Sequence, residues 1–458
     1  MFHFPFDSFR TRVKHARESG DLYFASLISK ECIEAAFGDA SCILNSARIY
    51  TTSVTVWAFL SQVMSIHHGC IAAVTKLISF RVARGLAVCS AETGAYCIAR
   101  DKLDESSMQR LVNHSGRHIE EKAPKDWRWL GRRVLTGDGT TVTMADTAEN
   151  QVEYPQQRAQ SPGCGFPIMR VFVLFAMATG TVIENAVSMY RGKGTHEVCL
   201  FRSVDSCIEK GDVYLADRAY SGWFDMARLM LREVDVVVRK HQFRRTDFRI
   251  GKRLSTDDHV IKLAKPSRPD WMSKEEYATY PEFISIRETR IRVEHKGFRT
   301  QEIHVHTSLL DDITYSKQEI AMLFRRRWEA ELNLRSLKWV MQMDHLRCKK
   351  PHRVRNELRA HLLAYNLVRQ VMFEASVRGN VKPWKISFKA TLTSLTELLP
   401  ILGVVSNVDE LCDAIVGCCL QHAVGRRPDR YEPRVVKRRP KTYKLMQKPR
   451  SKYKPGEI

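Results

Sequence analysis

Phe324, Arg327, Glu331 and Lys338 lie in one helix-patterned stretch, at offsets of 0, 3, 7 and 14 residues. At about 100° per residue these offsets fall within roughly a 60° arc, so a single helix face carries an aromatic ring, a carboxylate and two cations. Asp138 and Asp217 stand upstream, each at a strand-like segment. A DNA phosphodiester is cut or transferred when a hydroxyl is activated, the leaving oxygen is stabilised and the charge at phosphorus is neutralised. Two divalent ions about 4 Å apart meet all three needs. Hard cations such as Mg²⁺ take oxygen ligands, so carboxylates gathered from distant positions are the expected contribution of the protein, and neither histidine nor cysteine is required.

Asp138 sits in Leu135-Thr136-Gly137-Asp138-Gly139-Thr140-Thr141, inside an otherwise apolar strand. Burying a carboxylate there is unfavourable unless it meets a cation or a donor. Asp217 closes the short strand Val213 to Ala216, at the end where open α/β sheets place ligand groups. A turn or helix-cap role is the alternative for either aspartate alone. For the third carboxylate, Glu331 competes with Glu329 and Glu319. Glu329 is about 200° from Glu331 on the helix, and Glu331 shares its arc with Arg327 and Lys338. A plain i,i+4 ion pair between Arg327 and Glu331 on a solvated face remains the competing reading.

The partner for such chemistry follows from charge. The 458 residues carry a formal net charge of +22 with a pI near 9.6, a surface that attracts a polyanion, here double-stranded DNA. With 44% apolar residues the chain is expected to fold into several domains rather than stay disordered. The apolar run Val54 to Val63 is too short to span hydrocarbon and reads as a buried helix. The first residues lack the pattern of a signal peptide, so a cytoplasmic, nucleoid-associated location is expected. Twelve scattered cysteines form no Cys-x-x-Cys pair. His304 and His306, two apart in a strand, should face the same way without making a zinc site.

Periodicity divides the chain. Residues 1–125 read as helical and are expected to form an N-terminal DNA-binding domain. Residues 126–240 change to strand patterns: Val134 to Met144, a hairpin of Val171 to Ala178 and Val182 to Tyr190 turning at Thr179-Gly180, Val213 to Ala216, an apolar helix face from Trp223 to Met230, and Val234 to Val238. This is a mixed α/β core. Residues 241–315 hold short β segments such as Ile284 to Val293 and Ile303 to His306, read as an insertion. The core resumes over 316–375 with the glutamate helix, and 376–458 is a C-terminal region ending in a basic tail. From Gly425 to Ile458 that tail has thirteen Lys/Arg and three Asp/Glu, with five prolines that forbid a continuous helix.

The pattern Phe324-x2-Arg327-x3-Glu331-x6-Lys338, with Asp138-Gly139-Thr140-Thr141 and Asp217-Arg218-Ala219-Tyr220 upstream, resembles the bacterial insertion-sequence transposases of the DDE class, in the branch of insertion sequence family four marked by a Tyr-x2-Arg-x3-Glu-x6-Lys helix. Phe324 stands where that branch has Tyr. The likeness runs from about Thr51 to the basic tail. It implies an RNase H-like catalytic core interrupted by the β insertion, with Asp138, Asp217 and Glu331 as catalytic metal ligands holding two Mg²⁺ ions, Mn²⁺ being a substitute. It also implies cut-and-paste transposition: hydrolysis at the element end, attack of the freed 3′ hydroxyl to form a hairpin, hairpin opening, and joining to target DNA. Phe324, Arg327 and Lys338 would lie at DNA beside the scissile bond, the last two gripping phosphates. Arg244, Arg245, Arg249, Lys252 and Arg253 in the insertion, and Arg347, Lys349 and Lys350 after the catalytic helix, are expected to contact the DNA backbone. The partners would be the element's terminal inverted repeats and target DNA, with a homodimer in the synaptic complex. The alternatives are a related metal-dependent nuclease and a non-catalytic DNA-binding descendant.

Overall fold

Strands buried on both faces read as nearly continuous apolar runs, and Ile168–Ala176 and Val213–Ala216 are of that kind. They lie at the centre of the computed structural model, which describes residues 8–38, 48–292, 302–424 and 444–454. In chain order the strands are β1 (Val134–Met144), β2 (Ile168–Ala176), β3 (Val182–Met189), β4 (Val213–Ala216), β5 (Asp235–Arg239), β6 (Lys252–Ser255), β7 (Asp258–Ala264), β8 (Phe283–Arg292), β9 (Glu302–Thr307) and β10 (His345–Leu346). They form one sheet in the order β3-β2-β1-β4-β5-β9-β8-β7-β6, with β10 pairing parallel to the end of β1. β1, β2 and β3 form an antiparallel meander, β1, β4 and β5 run parallel, and β9 returns antiparallel to β5.

Strands of the segment expected as an insertion therefore continue the central sheet rather than standing apart from it. β6 and β7, which the sequence left undistinguished among charged loops, pair at its far edge. There the alternation of β9 turns His304 and His306 onto one buried carboxylate, Glu288, at 3.4 and 3.5 Å. Lys240 approaches it to 3.2 Å and His259 to 3.7 Å. The imidazoles radiate from a carboxylate that already holds a lysine.

Helices cover both faces. Leu135, Phe172, Leu174 and Ala216 point to one face, under helices Glu197–Val204 and Trp223–Leu231. Val142, Val171 and Val173 point to the other, where one apolar cluster runs from Phe9 through the 105–121 and 351–379 helices to Cys419. The N-terminal helices thus share a core with the C-terminal ones. Among the described residues no helix is long and apolar enough to cross a membrane.

The β2–β3 hairpin turns at Thr179-Gly180, where Gly180 takes a φ of +73°. Thr179 donates a 2.8 Å hydrogen bond to Glu120, whose carboxyl is buried and pushed up to about 7, chiefly by desolvation. The folded chain then binds a proton that the unfolded chain releases near pH 4.5. Stability from this group is full below that pH and is lost as pH rises through about 7. Glu120→Gln is expected to raise stability at pH 8 by up to about 3 kcal/mol and to flatten the decline between pH 5 and 8, as read by denaturant unfolding at a series of pH values.

Candidate active site

The parallel register of β1 and β4 pairs Thr136 with Leu215. Two residues beyond that pair stand Asp138, within β1, and Asp217, just past the end of β4, on the face that alternation gives to Thr136 and Leu215. Helix Trp328–Arg335 crosses that face: Ala330 and Leu334 pack into the cluster that holds Val142 and Val173. Glu331 thereby comes close enough to the middle of β1 to act on Asp138. The fold brings Glu331 within electrostatic reach of Asp138, across 193 residues of chain, and Asp217 onto the neighbouring strand end.

Their surroundings differ. Asp138 is half-buried, and its carboxyl is pushed up to about 6, first by desolvation and then by repulsion from Glu331 and Glu197. The Gly139 N–H, which donates to Asp138 Oδ1 at 2.9 Å, and the Arg327 guanidinium oppose that shift. Asp217 Oδ1 is buried without a hydrogen-bond partner, an arrangement that is unfavourable unless a cation meets it. Glu331 Oε1 accepts a hydrogen bond from Arg327 at 3.0 Å, the i,i+4 ion pair that the helical spacing allows. Among the described residues no three His, Cys, Asp or Glu side chains are closed into a ready cage for a metal ion. Three like charges repel, and two of these are held by other donors, Asp138 by the Gly139 N–H and Glu331 by Arg327. The all-oxygen donor set and the orphaned Asp217 oxygen nonetheless suit a hard divalent cation.

Glu329 faces elsewhere, paired with Arg326 at 2.8 Å. Phe324 corrects the expectation of a DNA contact: its ring is 6% exposed and packs with Ile320, Leu323, Leu215 and Val237. The aromatic position of the motif acts here as a floor, with the Arg327 guanidinium 6.0 Å above the ring centroid. Lys338 lies on a π-helical turn, Ser336–Val340, that widens the helix after Arg335. It is half-buried and makes no ion pair among the described residues.

Arg239, which the sequence did not single out, ends β5 beside Asp217, its charge destabilised by burial and by Arg218. Glu197 was also missed. It begins a helix on the far face of the sheet, reaches Arg170 at 3.4 Å, and occupies the space a Cβ on Gly139 would fill. No spacing ties it to Asp138; only the absent side chain at 139 hints at a neighbour.

The remaining basic residues divide. Arg245, Lys252 and Arg253 are exposed, and so is Arg249, which pairs with Asp247 at 2.8 Å. Arg244 departs from the expectation of a DNA contact, because its guanidinium turns inward onto His306 Nδ1, 3.4 Å away. Arg347 donates to the His67 carbonyl, Lys349 is exposed, and Lys350 caps the long helix Pro351–Gly379. Most of the basic tail, 425–443 and 455–458, lies outside the described residues.

Comparison with known proteins gives a family. A family model described as the transposase DDE domain matches residues 129–367, a span that holds β1, β4 and the glutamate helix. The chain is 26% identical over 361 residues to the transposase InsG for insertion sequence element IS4 of Escherichia coli (strain K12), covering 75% of this chain and 76% of that protein. A solved structure, the piggyBac transposase synaptic complex with hairpin DNA, aligns over 84% of this chain and 81% of its own at 10% identity and a TM-score of 0.41. With more than half of its length inside the DDE match, the chain belongs to the DDE-domain transposases and is a DNA transposase.

Proposed function

We propose that this transposase cuts and rejoins DNA at Asp138, Asp217 and Glu331, with two Mg²⁺ ions held by these carboxylates, in an RNase H-like core. The observation that carries the reading is that Asp138 and Asp217 both stand two residues beyond the last paired residues of adjacent parallel strands, with Asp217 Oδ1 buried and unpaired. The strand order 3-2-1-4-5, with an antiparallel meander first and parallel strands after, supports the assignment of the core. Bound divalent ions would supply an activated water or 3′ hydroxyl and neutralise charge at the leaving oxygen.

The chain's own groups do the positioning. Asp138 must give up its proton to serve as a ligand, so metal affinity is expected to fall as pH drops through about 6. Arg327 holds Glu331 in the free protein and is placed to exchange it for a DNA phosphate, which its planar fork can grip through two hydrogen bonds. Lys338, free of any described carboxylate, offers a point charge to the next phosphate. Helices within 1–125 are assigned to binding the element's terminal repeats. Two subunits would bring the two ends together for cut-and-paste movement through a hairpin intermediate, in the bacterial cytoplasm at the nucleoid.

The direct test is incubation of a supercoiled plasmid carrying both element ends with the full-length protein, in Mg²⁺ or in EDTA. Excision products that require Mg²⁺, with hairpinned ends trapped at early times, are expected. DNA binding with no Mg²⁺-dependent cleavage would instead make the chain a non-catalytic descendant.

A further inference from the structure

Behind the glutamate helix, on the side away from Glu331, is a cavity of roughly 330 Å³ open to solvent. Its walls include Glu329, Asn333 and Arg335 from that helix, Arg369 from the 351–379 helix, and Ser387 and Lys389 from the start of the 388–398 helix. Arg369 is the unusual member. Its side chain is 6% exposed and its hydrogen-bond partners are neutral: Nε donates to the Tyr365 hydroxyl at 2.9 Å and Nη2 to Asn333 Oδ1, while the rings of Tyr365 and Phe388 lie 5.2 and 5.6 Å from it. A buried guanidinium normally has a carboxylate hydrogen-bonded to it. The one carboxylate among the described residues of the cavity wall, Glu329, feels the Arg369 charge but is hydrogen-bonded to Arg326. Arg335 and Lys389, both exposed, add two more cations at the rim. The Ser387 hydroxyl, which accepts from the Ala390 N–H, lines the same space with its own proton left to donate, whereas the Ser336 hydroxyl donates to the Leu332 carbonyl.

The path of the chain points the same way. Val424 lies on the cavity wall, and the 34 residues that follow it in sequence carry thirteen Lys/Arg against three Asp/Glu. Three cations opposed by a single, already paired carboxylate, on a protein whose substrate is DNA, form a site for an anion of the substrate.

We propose that this cavity is a second DNA site, receiving a backbone phosphate on Arg369 between Arg335 and Lys389, so that the glutamate helix is gripped by nucleic acid on both sides. The inference rests on DNA being the substrate and not on the metal assignment. Arg335→Ala combined with Lys389→Ala changes two exposed side chains and leaves the fold intact. Arg369→Lys keeps the charge but removes the planar fork.

The test is binding of element-end DNA across a salt series, together with ultraviolet crosslinking from a photoreactive amino acid at Leu332, an exposed residue of the cavity wall. The double variant is expected to lower the slope of log K against log salt by up to about 0.9, the value for one phosphate no longer neutralised, and Arg369→Lys, which keeps the charge, to weaken binding severalfold with the slope unchanged. The Leu332 probe is expected to crosslink to DNA. A slope equal to that of the unaltered protein in the double variant, or no crosslink at saturating DNA, would overturn the proposal; crosslinking to a second protein chain instead would point to an acidic partner and count equally against it. Because binding and crosslinking are read in EDTA, a failure of the three-carboxylate chemistry leaves this result interpretable.

Discussion

Replacing Glu331 by Gln is expected to reduce DNA cleavage and strand transfer by at least about 10³-fold while leaving DNA affinity within a factor of about two. Gln keeps the shape and the hydrogen-bonding oxygen but removes the charge that a hard cation needs. Loss of transition-state stabilisation of roughly 4 kcal/mol corresponds to that rate factor. In the free protein the carboxylate is bonded to Arg327 at 3.0 Å and repels Asp138, so removing the charge relieves a repulsion and does not threaten the fold. The matched control is Glu329→Gln, two residues away. Glu329 is half-buried on the other side of the helix with Arg326, and burial holds its carboxyl above the usual range, so the neutral glutamine is expected to leave stability unchanged or slightly raised at neutral pH and to spare the chemistry. Initial rates under single-turnover conditions, set beside filter binding and thermal unfolding, separate the two. Equal catalytic losses in both variants would mean that the helix face has been read in the wrong rotation.

Gly116→Ala is expected to destabilise the fold strongly. Helix propensity alone favours the change by about 1 kcal/mol, since glycine is the poorest ordinary residue in a helix interior. Here the sign reverses. Gly116 lies where the 105–121 helix crosses β3, and a Cβ would fall inside the van der Waals shell of the Val182 carbonyl oxygen, which is backbone and cannot swing aside. Around this close approach Asn366 donates to the carbonyls of Val112 and Val182, each at 3.0 Å, and accepts from the Val182 N–H at 2.8 Å. One side chain thus ties the N-terminal helix, the sheet edge and the long C-terminal helix together. Forcing the helix off the strand strains or breaks these buried bonds, and a net loss of at least about 3 kcal/mol is expected. Denaturant unfolding of Gly116→Ala and Asn366→Ala would show both midpoints lowered, and a double variant little worse than either. A stabilised Gly116→Ala protein would refute the close approach of helix and strand.

Much of the catalytic region was legible because its physics is local. The apolar runs at 171–178 and 234–238, the glycine of the hairpin and the 3.6-residue spacing around Glu331 each specify an element on their own, and the elements appear within one to three residues of those expected. Asp138 and Asp217 stood out because a carboxylate in or at the end of a buried strand is unfavourable without a partner.

What was not legible depends on residues distant in sequence. The sequence could not show that the 241–315 segment would extend the sheet, because β5–β9 pairing is a choice of partner and not a pattern. Phe324 shares the angular arc of Glu331, but the direction of an arc says nothing of what lies beneath it, and β4 and β5 lie beneath this ring. Lys338 was placed on an ideal helix, whereas a π turn intervenes. Glu197 and Arg239 reach the site only through the sheet's register, and Arg244, expected at the DNA backbone, is laid by the fold against His306.

The central claim is that Asp138, Asp217 and Glu331 close on divalent ions. It is tested most directly by Mn²⁺ anomalous diffraction from crystals of the protein bound to element-end DNA. Anomalous peaks within coordination distance of all three carboxylates, with Arg327 released from Glu331, are the expected result. Peaks absent from these carboxylates under conditions in which the same complex cleaves DNA would contradict it.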